Sequence, residues 1–291
     1  MDNKIKISEL PINKDGSIYH LKLHPEQIAH DIIIVGDPGR VKKVSAHFDK
    51  IEVEVHNREF LTHTGYFNGK RISAISTGMG TDNIDIFLNE LDALVNIDFE
   101  KRAPKSELTS LNIIRLGTSG ALQEDIPVDS IVVSEYGLGL DGLLNFYTPE
   151  YSSQETTLNN AFIEQTNWPQ ELARPYIIKG NEALVDKLGK GYIKGITATA
   201  CGFYAPQGRQ VRLDLKVPDI NERLRAFQHE GNKVLNFEME TSALYGLSKL
   251  MGHNACTMCA VIANRFSKTF SKDYQLTIDK LIENTLQRLT A

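Results

Sequence analysis

Apolar residues along the chain fall into short continuous runs and longer stretches of helical period, and the two alternate. Residues 31–36 are a nearly unbroken apolar run ended by Gly36, which predicts a central strand covered on both faces. Asp37-Pro38-Gly39 breaks that run, and Val41, Val44 and Phe48 then predict a helix over 40–48. Residues 51–55 alternate as a strand does, and 70–76 predict another, closed by Thr77-Gly78-Met79-Gly80. Apolar positions 84, 87, 88, 91, 94 and 95 predict a helix over 83–95. The polar stretch 98–110, with Pro104 in it, predicts a connection. A buried strand is expected at 111–116, followed by Gly117-Thr118-Ser119-Gly120, and a short one at 130–134. Residues 141–156 look irregular, and 157–190 predict two helical pieces broken near Pro169 and Pro175. A threonine-rich strand at 194–200 precedes a long loop over 202–218 that carries Gly202, Pro206, Gly208 and Pro218. The chain then predicts a helix at 240–251 closed by Gly252, a strand at 255–263 and a last helix at 274–289.

Strands alternating with helices imply an α/β fold. The expectation is a single domain over residues 1–291, with a central, mostly parallel or mixed β-sheet flanked by helices. In such folds ligands gather at the carboxyl ends of strands. Gly36-Asp37, Gly78-Met79-Gly80, Gly117-Thr118 and Asn264-Arg265 all fall at predicted strand ends.

Composition narrows the function classes. The net charge is -5, without the basic surplus of a nucleic-acid binder. It leaves room for an anionic small molecule, because a few local arginines suffice to bind one. Residues 1–30 lack an apolar core segment, and no stretch approaches the roughly 20 apolar residues that span a bilayer. A cytoplasmic protein without membrane or nucleic-acid partners is expected. Cys256-Thr257-Met258-Cys259 spells C-x-x-C but sits inside an apolar run, so core packing is expected rather than a redox or zinc site.

Three segments carry candidate chemistry. Gly36-Asp37-Pro38-Gly39-Arg40 pairs free backbone N–H groups with a planar cation, which suits an oxyanion. Arg115 lies in an apolar strand, where an unpaired guanidinium is costly, so it needs an anionic partner, either a ligand or an acidic side chain. Thr118 and the flanking glycines put a hydroxyl and N–H groups beside it. Glu238 and Glu240 stand at a strand-to-helix junction, where carboxylates accept hydrogen bonds from sugar hydroxyls and where either of them can cap the helix.

Together these segments resemble the nucleoside phosphorylase superfamily, which includes uridine phosphorylases and hexameric purine nucleoside phosphorylases. The resemblance runs from about Tyr19 to Arg265. It is carried by Tyr19-His20-Leu21, Gly36-Asp-Pro-Gly-Arg40, Arg58-Glu-Phe60, Ser76-Thr-Gly-Met-Gly80, Arg115-Leu-Gly-Thr-Ser-Gly120, Phe203-Tyr204, Gln207-Gly-Arg209, Phe237-Glu-Met-Glu240 and Val261-Ile-Ala-Asn-Arg265. It implies that phosphate is held by Gly36, Arg40, Arg115 and Thr118, with Arg58 reaching in from a neighbouring subunit. It implies that ribose meets Met239 and Glu240 with Glu238 close by, and that the neighbour's His20 reaches the 5′-hydroxyl. Two borrowed residues imply at least a homodimer.

Base choice then falls to Gln207 and Arg209, with Phe203 stacking on the base or sugar. Together Gln207 and Arg209 match the O4, N3–H and O2 edge of uracil. Catalytic roles are implied for Arg209, Gln207 and Arg115. Relatives specific for purines carry Asp after the last strand, where this chain has Asn264-Arg265. The loop departs from the family in having Pro206 where glycine usually precedes the glutamine. A monovalent cation found in some relatives uses a Glu, matched by Glu59, and a Ser, replaced here by Asn83, so no metal is expected. No cofactor is implied, inorganic phosphate being a substrate. The expected activity is reversible phosphorolysis of uridine in pyrimidine salvage. Purine phosphorolysis or simple hydrolysis on the same fold remain open, as does a catalytically inactive nucleoside-binding protein.

Overall fold

The computed structural model describes residues 4–291. Its strands in chain order are β1 (Asp31–Val35), β2 (Lys50–Asn57), β3 (Phe60–Phe67), β4 (Lys70–Ser76), the two-residue β5 (Ile97–Asp98) and β6 (Ala103–Pro104), β7 (Asn112–Ala121) and β8 (Ile131–Gly139). They continue with β9 (Tyr176–Lys179), β10 (Ile193–Thr199), β11 (Gln228–His229), β12 (Asn232–Glu238), β13 (Asn254–Asn264) and β14 (Thr269–Phe270). The helices are α1 (Pro38–Ser45), α2 (Thr81–Asn96), α3 (Ser153–Gln165), α4 (Glu182–Leu188), α5 (Ile220–Ala226), α6 (Thr241–Met251) and α7 (Tyr274–Thr290). The α/β expectation is met: one large mixed sheet carries the helices against it.

The sheet runs β11-β12-β10-β8-β13-β7-β1-β4-β3-β2, parallel through β4-β1-β7-β13 and antiparallel at the β2-β3-β4 edge. A further pairing joins β12 to β7, closing β7, β12, β10, β8 and β13 into a ring. The path of β7 explains where a cavity opens. One edge of β7 pairs with β13 from Asn112 to Ala121. The other edge pairs with β1 only as far as Arg115, and with β12 only from Gly120. Residues 116–119 lie between those partners, at the carboxyl end of β1, where the sheet splits.

Three of the departures from the sequence reading have a plain physical cause. β7 continues through Gly117-Thr118-Ser119-Gly120 instead of ending at Leu116, because its β13 edge holds it extended. The stretch expected to be helical over 157–190 contains β9, whose Tyr176-Ile177-Ile178 pairs with β8. Tertiary pairing and β-branched side chains override the helical spacing there. β3 was not anticipated, because its buried residues include Thr62, His63 and Thr64 and mask the alternation. Two of those polar groups are satisfied in place: His63 Nδ1 lies 2.7 Å from Ser45 Oγ, and Thr64 Oγ1 lies 2.7 Å from Ser73 Oγ, whereas Thr62 Oγ1 has no partner among the described residues.

Cys256 and Cys259 are buried in β13, three residues apart and so on opposite faces. Burial pushes their thiols up to about 12 and about 11. They are core side chains, as expected. Among the described residues, no helix is long and apolar enough to cross a membrane, and no cluster of His, Cys, Asp or Glu is arranged to hold a metal ion.

Candidate active site

A cavity of about 490 Å³ opens where the sheet splits. Three strand segments and one loop supply its chemistry. Gly36 and Arg40 come from the β1–α1 turn, and Arg115 and Thr118 from β7. Glu238, Met239 and Glu240 come from the β12–α6 junction, and Phe203, Gln207 and Arg209 from the loop after β10. All ten were expected as site residues, and the fold brings them to one place. The volume falls in the range of pockets for small ligands.

The turn after β1 forms for local reasons. Asp37 caps α1, its carboxylate accepting from Gly39 N at 2.9 Å, and Pro38 occupies the first helical position. That starts α1 one residue past Asp37 and sends Arg40 back toward β7, where Nη1 donates to Leu116 O at 3.2 Å. This carbonyl belongs to the segment of β7 between β1 and β12. Burial and the neighbouring Arg115 both lower the pKa of Arg40, so an anion arriving between the two arginines relieves a real electrostatic cost.

Arg115 is 6% exposed and lies among carboxylates. Its Nη1 is 3.0 Å from Glu238 Oε2, its Nη2 pairs with Glu240 Oε2, and Nη1 also donates to Cys259 Sγ at 3.5 Å. Burial opposes its charge, but Glu240 and Glu238 outweigh burial and raise its pKa. The anionic partner that the sequence demanded is therefore, in the protein itself, a pair of glutamates. The guanidinium reaches them by folding over Gly117, where a Cβ would lie 2.2 Å from Nη1. We predict that Gly117→Ala displaces Arg115 from its carboxylates. The expected cost is about 1–3 kcal/mol of stability, with at least a tenfold higher phosphate KM. Thermal melts and steady-state kinetics measure both.

The two carboxylates have different tasks. Glu238 accepts from Glu240 N and Thr241 N at 3.0 Å and from Thr199 Oγ1 at 2.7 Å, besides its contact with Arg115. It caps α6 and these contacts occupy its lone pairs, so it stands close by the ribose position expected for Met239 and Glu240 and holds Arg115 and the helix end in place. Glu240 accepts from Gly80 N at 2.8 Å and from Arg115, which leaves acceptor capacity on both oxygens. Burial raises its pKa despite Arg115. The sequence places the Thr77–Gly80 turn at a strand end but gives no sign that Gly80 N belongs to the site. Its φ of 98° is open to glycine and aims that N–H at Glu240.

The loop after β10 is ordered from within. Ala205–Gln207 make one short 3₁₀ turn, with Pro206 early in it, where a missing N–H costs nothing. Pro206 thus starts the turn that buries Gln207 to 3% exposure. Arg209 Nη1 donates to Gln207 Oε1 at 2.6 Å, and its guanidinium stacks 3.7 Å above the Phe203 ring. Burial and then Arg265 lower the Arg209 pKa, which marks a cation lacking a counter-charge. Arg265 steadies the loop by donating from Nη2 to Gln207 O at 3.1 Å.

Asn264 faces away from the cavity. Its Nδ2 donates to Gln123 O and Ile126 O, and its Oδ1 accepts from Phe266 N and Ser267 N. We predict that Asn264→Asp costs about 1–3 kcal/mol, by setting a carboxylate against two carbonyls, and adds no turnover of inosine. Chemical denaturation and an inosine assay check the two parts.

His20 and Arg58 do not line the cavity. His20 Nδ1 lies 2.6 Å from Glu90 Oε1, and its ring stands edge-on to Tyr19. Arg58 is exposed with φ of 55°, its guanidinium 5.9 Å from the Tyr19 ring. The two residues form a single surface cluster with Tyr19. Ser119, Ile262, Ala263 and Phe270 line the cavity without having been singled out, since none of them carries a charge that draws attention in sequence.

The chain and its fold have known relatives. A family model for the phosphorylase superfamily matches residues 31–291. A uridine phosphorylase of Thermococcus kodakarensis is 30% identical over 282 residues, covering 94% of this chain and 86% of that protein. A DeoD-type purine nucleoside phosphorylase of Bacillus cytotoxicus is 28% identical over 272 residues, covering 92% and 97%. The crystal structure of a Trypanosoma brucei nucleoside phosphorylase that shows uridine phosphorylase activity superposes with a TM-score of 0.88 at 34% identity, covering 96% and 99%. Arginines and glutamates gathered at the split of the sheet, on a chain matched nearly end to end, have one family reading: the chain belongs to the phosphorylase superfamily.

Proposed function

We propose that this protein is a uridine phosphorylase, converting uridine and inorganic phosphate to uracil and ribose 1-phosphate in pyrimidine salvage. The observation that carries the reading is that Gln207 and Arg209 share one cavity with Arg40, Arg115, Thr118 and Glu240. Gly36, Arg40, Arg115 and Thr118 hold phosphate, Met239 and Glu240 hold ribose, and Phe203 packs on the base. A phosphate oxygen bonds to C1′ as the C1′–N1 bond breaks. The electron pair of that bond moves onto the base, whose N1 then takes a proton from solvent. Arg209, a half-buried cation without a counter-charge, gains most when that negative charge develops, which is preorganised electrostatic catalysis. No organic cofactor or metal enters these steps.

The active unit in this reading is a homo-oligomer, at least a dimer, working in the cytoplasm. The Tyr19, His20 and Arg58 cluster is the part of one subunit that completes its neighbour's site, with Arg58 meeting phosphate and His20 the 5′-hydroxyl. Mixing two impaired proteins, Arg58→Ala and Arg209→Ala, tests this. If sites are shared, mixed dimers contain one site with both arginines and regain activity, whereas sites complete within one chain give no recovery. Phosphorolysis itself is tested by base release with and without phosphate. Uracil release that ignores phosphate would make the protein a hydrolase.

A further inference from the structure

Ser119 sits on the cavity wall at the inner end of a chain of buried polar groups. Ser134, Thr197 and Asn236 are fully buried, and Ser119 is 4% exposed. Ser134 Oγ lies 2.5 Å from Thr197 Oγ1, and Thr197 Oγ1 donates to Asn236 Oδ1 at 2.8 Å. Asn236 Nδ2 donates to Ser119 Oγ at 2.8 Å. Each link fixes the next. Thr197 gives its one hydrogen to Asn236, so it must accept from Ser134. Ser119 accepts from Asn236, so its own hydrogen is left over at the cavity wall. Reversing the chain would strand the Ser134 hydrogen in the core and would leave Ser119 no hydrogen to offer.

The register shows where Ser119 lies along β7. It lies beyond Arg115 and Thr118 along β7, opposite Val261 of β13, and next to Gly120. A Cβ on Gly120 would lie 3.9 Å from the Arg265 side chain, and Arg265 holds the Gln207 backbone. Ser119 is thus on the side of the cavity toward the specificity loop, away from the β1–α1 turn.

We infer that the Ser119 hydroxyl is a further hydrogen-bond donor to the departing base, and that Asn236 is the positioning residue that makes it a donor and not an acceptor. The inference rests on the uridine phosphorolysis proposed above. The acceptor is a carbonyl oxygen of the base, on which charge accumulates as the glycosidic bond breaks. A donor there is worth more in the transition state than in the ground state.

The test uses the full-length oligomer with uridine and 5-fluorouridine, whose base is the better leaving group and needs less stabilisation. Ser119→Ala should lower kcat on uridine about tenfold or more, lower it less on 5-fluorouridine, and leave the phosphate KM within about twofold. Ser119→Thr keeps the hydroxyl and should restore most of the turnover. Asn236→Asp offers Ser119 an acceptor in place of a donor, turns its hydrogen inward, and should reproduce the leaving-group dependence of Ser119→Ala. Equal losses on both substrates, a change confined to the phosphate KM, or unchanged kinetics would overturn the assignment. If the unaltered protein fails to cleave uridine, the underlying reading falls before any variant is made.

Discussion

Replacing Arg115 with alanine is expected to abolish measurable phosphorolysis at ordinary phosphate concentrations and to destabilise the fold by about 3–5 kcal/mol. The size comes from what is left behind. Glu238 and Glu240 are both about 4% exposed, and the guanidinium is the positive charge between them. Without it, two buried carboxylates face each other, and at least one must take a proton or draw in water. Glu238 also caps α6, so the helix that presents Glu240 loosens with it. The kinetic loss is separable from the loss of fold. Arg115→Lys keeps the charge without the planar fork, so it should fold with a smaller fall in melting temperature and still raise the phosphate KM by about 10- to 100-fold. A phosphate KM and turnover unchanged in Arg115→Lys would remove this residue from phosphate binding.

Arg209→Ala is expected to lower uridine turnover by on the order of 10²-fold or more with little change in stability. Arg209 is half-buried on a loop, its contacts being Gln207 Oε1, the Phe203 carbonyl and the Phe203 ring. Their loss frees the loop but leaves no charge stranded in the core. The fall should appear mainly in kcat, because the cation is matched to charge that develops only as the base departs. Near-normal kinetics would exclude Arg209 from the leaving-group role.

Much of the framework was legible in the chain because its cues are local. The apolar run before Gly36 and the proline behind Asp37 mark β1 and the start of α1 without tertiary information. The demand that Arg115 find an anion also follows from its neighbours in sequence alone. What stayed hidden depends on pairing. Tyr176–Lys179 is a strand because β8 lies beside it, and β7 runs on through two glycines because β13 holds it. The division of labour between Glu238 and Glu240 could not be read from their i, i+2 spacing. It follows from which backbone N–H groups each one meets. His20 and Arg58 were legible only through the family resemblance, since within one chain they are surface residues. Ser119 was invisible for a different reason. A serine at a strand's end carries no signal until the direction of its hydrogen bonds is known.

Gln207 and Arg209 are what separate uracil from a purine in this account, for Asn264 is turned into its own backbone loop. The measurement that bears most directly on the claim is therefore kcat/KM for uridine and for inosine on the same purified protein, with saturating phosphate and with none. A uridine phosphorylase gives uracil and ribose 1-phosphate from uridine only when phosphate is present, with kcat/KM for inosine lower by at least about 10², the scale set by a site whose polar groups a wrong base leaves unpaired. Inosine cleaved as well as uridine, or uridine left intact, would contradict the claim.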